Sequence, residues 1–301
     1  MDAGANIYEK LINGINVYLL RVNAQLATKA LNEKLTKLGS AGVKYKLEGN
    51  LLVITEASEG SREALYEAII DYISVFEVHY GVDALWAQLK LVILKALQNF
   101  RVSVRELRIE VPISKYVVEY IVMNTVFGVD ATSFLDFRKR TWLKDPILLT
   151  NQRLIVPKGE ELRNIPLHDV TTVGREVYVG YGMDTARGIV RIIDYHNREY
   201  GMSCIVVLAK DELSKEFLNA LRLMRDEYKK LNEVESKVLV AIYNGVPSSG
   251  LAGYCCISQG DAEKAFNRML QLNYSDSAGH ITSYGINVSA ALLQAKKEAG
   301  S

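Results

Sequence analysis

Cysteine, proline and long apolar runs are all scarce in this 301-residue sequence. The three cysteines, Cys204, Cys255 and Cys256, are odd in number and two are adjacent, which excludes a disulfide-framed secreted scaffold and points to a reducing compartment. The five prolines exclude a Pro-rich linker or low-complexity tract. No apolar run approaches the roughly 18 residues of a membrane-spanning helix. The first residues include Asp2 and Glu9 and lack the basic-then-apolar pattern of an export signal. A cytoplasmic location is the expectation.

Surplus charge of one sign is missing too. The net charge is +1. Residues 1–135 carry 14 Lys/Arg against 15 Asp/Glu, residues 136–230 carry 17 against 14, and residues 231–301 carry 5 against 6. Only the middle segment leans basic, and no segment has the cationic surplus expected of a dedicated nucleic-acid binder. Motifs of catalysis are absent as well: no P-loop, no dinucleotide fingerprint, no HExxH and no GxSxG. His79, His168, His196 and His280 are scattered, and adjacent Cys255 and Cys256 cannot readily chelate one zinc ion. Those two cysteines read as core-facing small residues. The sequence predicts a protein that is not an enzyme and holds no metal or cofactor.

The apolar pattern that is present divides the chain into three. Leu11, Ile15, Leu19, Val22 and Leu26 recur at spacings of four and three, and Leu31, Leu35 and Leu38 continue the stripe to Gly39. Such a stripe either docks on the protein's own core, the favoured reading, or pairs residues 11–38 with a second chain as a short coiled coil in a homodimer. A hairpin is expected from Val43–Leu47 and Leu51–Thr55 around Gly49-Asn50, then helices over Ser61–His79 and Val82–Phe100. Arg105–Val111 alternates as a half-buried strand does, while Tyr116–Phe127 suits helix or strand. Residues 1–135 therefore read as a helix-rich α+β domain.

From about Asp136 the runs become short and β-branched. Ile147–Leu149, Arg153–Val156, Glu161–Pro166, Val170–Tyr178, Gly188–Tyr195 and Ser203–Leu208 are candidate strands. A helix over Lys210–Lys230 follows, with Leu213, Phe217, Ala220, Leu221 and Met224 on one face. Residues 136–230 thus predict a pleckstrin-homology-like (PH-like) β-barrel with a C-terminal capping helix. Residues 231–301 predict a winged helix-turn-helix. Its helices are Glu233–Tyr243, Ser248–Tyr254 and Asp261–Leu272, with Ser258 as N-cap of the third. His280–Thr282 would form a wing strand and Val288–Lys297 a last helix. The whole is an α+β chain of three parts.

Two sets of residues are candidate docking surfaces. In the middle segment they are Arg138, Lys139, Arg140, Trp142, Lys144, Arg153, Lys158 and Arg163. Cations around a Trp suit a protein face, a solvated face with Trp142 in the core or, ranked third, a lipid headgroup. In the third helix of the last segment they are Lys264, Asn267, Arg268 and Gln271. These could read DNA, but Asp261 and Glu263 offset them and the wing, Ser275 to Gly279, has no cation, which argues against DNA and for protein binding.

Two stretches resemble a known family. Leu149, Arg153, Leu154, Ile165, Pro166 and Leu167, followed by Glu235, Val238, Leu239, Ala241, Ile242, Tyr243, Gly245 and Val246, match core patterns of the archaeal taxis protein F family (CheF). The resemblance covers about residues 140–275. It implies an adaptor that links the CheY response regulator, and CheC- and CheD-type proteins, to the switch proteins at the base of the archaellum. It implies no cofactor and no catalytic residue. The alternative from the same residues is a DNA-binding transcriptional regulator using the C-terminal winged helix; a peripheral membrane module is a third.

Overall fold

Single-residue interruptions with defined backbone roles set the lengths of the first four helices. The computed structural model describes residues 3–58, 60–100, 109–123, 141–176, 189–197 and 201–299. The chain forms two units, Met1–Met224 and Arg225–Ser301. The fold is α+β.

In the first unit the stripe over 11–38 is broken at Asn23 into α1 (Ala3–Val22) and α2 (Ala24–Ser40). Asn23 turns extended, and its side chain accepts from the Leu26 N–H at 3.0 Å, an N-cap. Leu11, Ile15, Leu19, Leu31, Leu35 and Leu38 are buried in the chain's own core, so the stripe offers no free seam for a coiled coil. β1 (Lys44–Glu48) and β2 (Leu51–Glu56) form the expected hairpin. α3 (Ser61–Tyr80) and α4 (Val82–Asn99) are joined by Gly81 alone, at φ +78°, a conformation that favours glycine.

α1 holds the hairpin through side chains spaced by one turn. The Ile54 N–H donates to Glu9 Oε2 at 2.8 Å. Asn13 brackets Leu52, accepting from its N–H and donating to its carbonyl, both at 2.8 Å. Asn16 Nδ2 donates to the Asn50 carbonyl at 2.6 Å, and its Oδ1 accepts from the Tyr72 hydroxyl at 2.6 Å. Fully buried Asn16 is thereby satisfied, which removes the cost of placing an amide in a core.

Among the described residues ten strands make three sheets. β3 (Pro112–Val117) lies in a four-stranded antiparallel sheet of order β3-β5-β6-β7, with β5 (Pro146–Thr150), β6 (Arg153–Lys158) and β7 (Glu161–Pro166). β4 (Tyr120–Met123) lies in a second, β4-β10-β9-β8, with β8 (Val170–Glu176), β9 (Ile189–Asn197) and β10 (Gly201–Ala209). Only Val118 and Glu119 separate β3 from β4, so one run of chain feeds both sheets. The Tyr120 hydroxyl ties them further, donating to the Pro157 carbonyl at 2.6 Å. Among the described strands neither sheet closes on itself, so the expected barrel is here a pair of open sheets.

The expected strand over Arg105–Val111 lies mostly outside the described residues, and Ile109–Val111 is not strand. Tyr116–Phe127 resolves as strand as far as Met123. β3 and β4 fall within the stretch assigned from sequence to the N-terminal part, yet both pair with strands after residue 140. α4 supplies a helical layer against β3. There Glu77, at the end of α3, accepts from Lys115 Nζ at 2.7 and 2.8 Å and from Trp86 Nε1 at 2.5 Å. α5 (Glu212–Lys229) follows β10, burying Phe217, Leu218, Ala220 and Leu221, with Phe217 5.3 Å from the Tyr116 ring. Asp211 caps it, accepting from Ser214 N–H and Oγ–H at 2.8 and 2.7 Å.

In the second unit α6 (Glu233–Tyr243) opens on a capping box: Asn232 and Glu235 each accept from the other's backbone N–H at 2.8 Å. A 3₁₀ turn, Ser248–Gly250, leads into the short α7 (Leu251–Cys255), and α8 (Gln259–Gln271) starts at the expected Ser258 N-cap. The wing strand reduces to one antiparallel bridge, Ser275 with Ile281. α9 runs Ser283–Ala299, starting five residues earlier than the sequence pattern implied. Val238, Leu239, Ile242, Leu251, Met269 and Leu272 form the shared core.

Candidate functional site

The middle-segment cations do not gather into one patch. Arg138, Lys139 and Arg140 lie outside the described residues. Trp142 is half-buried against the apolar face made by Ile121, Val190, Ile192, Cys204 and Val206 of the second sheet. Lys144 is exposed and close enough to Asp211 to act on its carboxyl electrostatically. Arg153, Lys158 and Arg163 belong to β6 and β7 of the other sheet.

Arg153 is already engaged. Its Nε and Nη2 donate to the two Glu110 oxygens at 2.7 and 2.5 Å, and that hydrogen bonding raises its pKa despite partial burial. A bidentate guanidinium–carboxylate pair of this kind fixes a strand to the preceding segment and leaves little of the fork for a ligand. Arg163 sits beside Tyr195, whose hydroxyl burial pushes up while Arg163 pulls it back. Lys158 pairs in register with Glu161 across the β6–β7 turn and is half-buried.

On α8 the sequence candidates separate by direction. Ala262, Ala265 and Met269 face the core. Arg268 turns back along the unit: its Nη2 donates to the Tyr228 carbonyl, and its guanidinium lies 4.4 Å from the centre of the Tyr228 ring. It therefore serves packing, and a DNA backbone would have to displace it. Lys264, Asn267 and Gln271 are exposed, together with Asp261 and Glu263. That leaves two carboxylates against one ammonium on the solvent face of the helix, and Lys264 lies 4.0 Å from Asp261. Beyond the helix, Asp276 accepts from the His280 and Ala278 backbone N–H groups at 2.8 and 3.0 Å. Those His280 and Ala278 donors hold its carboxyl below the ordinary range against the opposing effect of desolvation, so this turn is anionic at neutral pH.

Beside these polar positions, exposed aromatics mark the same unit. Tyr243 and Tyr254 are 40% and 57% exposed, and the Tyr254 hydroxyl accepts from Asn244 Nδ2 at 3.3 Å. Exposed tyrosines with an oriented hydroxyl suit protein recognition, giving contact area at low entropic cost. Tyr243 is among the residues that match the family pattern, but nothing in the sequence marked it or Tyr254 as exposed, because α6 and α7 read only as helix starts and stops.

The cysteine pair meets the core-facing expectation in part, since Cys255 packs against the core of the second unit. Cys255 is half-buried, and desolvation together with its neighbour raises its thiol pKa, so it is not an activated nucleophile. Cys256 is exposed rather than core-facing and occupies the left-handed C-cap of α7 at φ +53°. Among the described residues no group of three or more His, Cys, Asp or Glu side chains could hold a metal ion, and no helix is long and apolar enough to cross a membrane. No protein-family model matches the chain, and no curated protein matches it significantly.

Proposed function

We propose that this chain is a non-enzymatic, cytoplasmic adaptor that links chemotaxis response-regulator signalling to the archaellum motor switch complex by protein docking. In this reading residues 112–229 form a PH-like module of two open sheets with α5 at their end. The run from β3 into β4 that feeds both sheets supports it, as does a helix directly after the last strand. Residues 233–299 form a winged helix, supported by three helices, a bridge in place of a wing and a closing helix.

The observation that carries protein docking over DNA binding is the face of α8. Its one Arg is bound to Tyr228, and its exposed charges are two carboxylates and one lysine. Such a face cannot release the counterions that give DNA binders most of their affinity. The exposed tyrosines of α6 and α7 supply contact area for a protein instead. The taxis assignment rests on the matched residues at 149–167 and 235–246.

The test is direct titration of the purified chain with a phosphorylated and an unphosphorylated CheY-type response regulator, followed by calorimetry. Binding that prefers the phosphorylated form supports the adaptor. Absence of binding to both, together with salt-sensitive binding of duplex DNA at about 0.15 M salt, would replace it with a transcriptional regulator.

A further inference from the structure

α1 and α4 pack side by side, with Gly14 at their contact: a Cβ there would lie 3.8 Å from both the Ala96 Cβ and a Val92 methyl. Beside this contact a groove of about 470 Å³ opens between the helices, with Val17, Val92, Ala96 and Phe100 in its walls. That volume lies within the range of concave binding sites. Val17 is 42% exposed, so the apolar wall is not covered.

Charge on the groove is one-sided. Lys10, Arg21 and Lys95 line it, and among the described residues no carboxylate does. Lys10 lies 4.1 Å over the Phe100 ring, held at one end. Arg21 and Lys95 have no ion pair with any described carboxylate. In a chain of net charge +1, three cations around one apolar groove form a local field of one sign. Lys10 and Arg21 are separated by three turns of α1, about 16 Å at the helical rise. The cations are therefore spread along the groove rather than gathered at one end, as a single anionic headgroup would require.

We propose that this groove docks an amphipathic helix of a partner protein, about three turns long, whose apolar stripe enters between α1 and α4 and whose flanking Asp and Glu residues meet Lys10, Arg21 and Lys95. Helix-in-groove recognition uses anchors at i, i+4 and i+7 in this way. The inference goes beyond the adaptor reading and does not depend on it, because the taxis resemblance does not reach these helices.

The probe is a fluorescent peptide of about four helical turns with leucines at helical spacing and flanking glutamates, compared with its glutamate-to-lysine counterpart. Anisotropy titrations of the full chain are expected to give saturable binding of the acidic peptide alone. Arg21→Glu and Lys95→Glu should each weaken it about tenfold, and Val17→Asp should abolish it, while Lys29→Glu on α2 changes nothing. Circular dichroism confirms that each variant is folded. Equal binding of the basic peptide, indifference to both charge reversals, or no binding of the acidic peptide near 0.1 mM would overturn the proposal. Saturable binding of decanoate without binding of the peptide would overturn it in favour of a small anionic amphiphile.

Discussion

Replacing Lys115 by methionine should strip the charge partner from Glu77 at the junction of α3, α4 and β3. The Glu77 and Lys115 side chains are only 10% and 16% exposed, and the carboxylate would keep one donor, Trp86 Nε1. Removing one member of a buried pair costs about 3–5 kcal/mol. The remaining indole donor and slight access to water bring the expectation here to about 2–3 kcal/mol. For a unit of this size that is a fall in midpoint of roughly 5–10 °C. Adding Glu77→Gln, which leaves a neutral acceptor for Trp86, should bring the loss below about 1 kcal/mol. Urea unfolding followed by tryptophan fluorescence is the assay, because Trp86 and Trp142, the only two tryptophans, both lie in the first unit. A Lys115→Met loss under about 0.5 kcal/mol, the value of an exposed pair, would refute the reasoning. So would a double variant no more stable than the single one.

Three more outcomes follow from local geometry. In Gly285→Ala the new Cβ would lie 2.2 Å from the Tyr274 carbonyl oxygen, and because the obstacle is backbone the second unit should lose about 3 kcal/mol, read from tyrosine near-UV dichroism. Asn232→Ala removes the capping box of α6 and should cost about 1 kcal/mol, with faster amide exchange confined at first to the initial turn of that helix. Burial pushes the Asp211 carboxyl up, but the Ser214 donors, Lys210 and Lys144 outweigh it and hold the pKa below the ordinary value. Its contribution is therefore present above the ordinary carboxylate pKa of about 4 and fades as pH falls through the lowered one, so the stability deficit of Asp211→Ala should narrow in acid. A deficit that stays constant from neutral pH down to about pH 2 would contradict this.

Much of the fold was legible because its signals are local. The hairpin at Gly49-Asn50, the stop at Gly81 and the cap at Ser258 are each written within a few residues. The break at Asn23 was less visible, since the apolar period continues across it from Leu19 to Leu26 and only the cap marks the end of α1. Tyr116–Phe127 was ambiguous for a different reason: burial alternates from Tyr116 to Tyr120, but Val117 is as apolar as its buried neighbours and Tyr120, Ile121 and Val122 are buried in succession, so the sequence lacks the apolar–polar alternation that identifies a strand. Candidate side chains could be named from sequence but their engagements could not, because Arg153 meets Glu110 43 residues away and Arg268 meets Tyr228 40 residues away. The resemblance behaves likewise. Leu149, Leu154, Ile165, Val238, Leu239 and Ile242 are buried, so those positions bear on packing and not on a surface that could meet a partner. Lys10, Arg21 and Lys95 come together only when two helices 60 residues and more apart pack.

The hold of α1 on β2 has a consequence for what the chain is exposed to before it is complete. Glu9, Asn13 and Asn16 occupy backbone groups of Ile54, Leu52 and Asn50 that a third strand would otherwise take. A helix here substitutes for a strand neighbour, closing by side chains an edge that main chain usually closes. Any state in which α1 is detached offers β2 as a template for another copy's strand, with Leu52 and Ile54 uncovered beside it. Guarding that edge against association is thus a task of the first helix, separate from its contribution to the core.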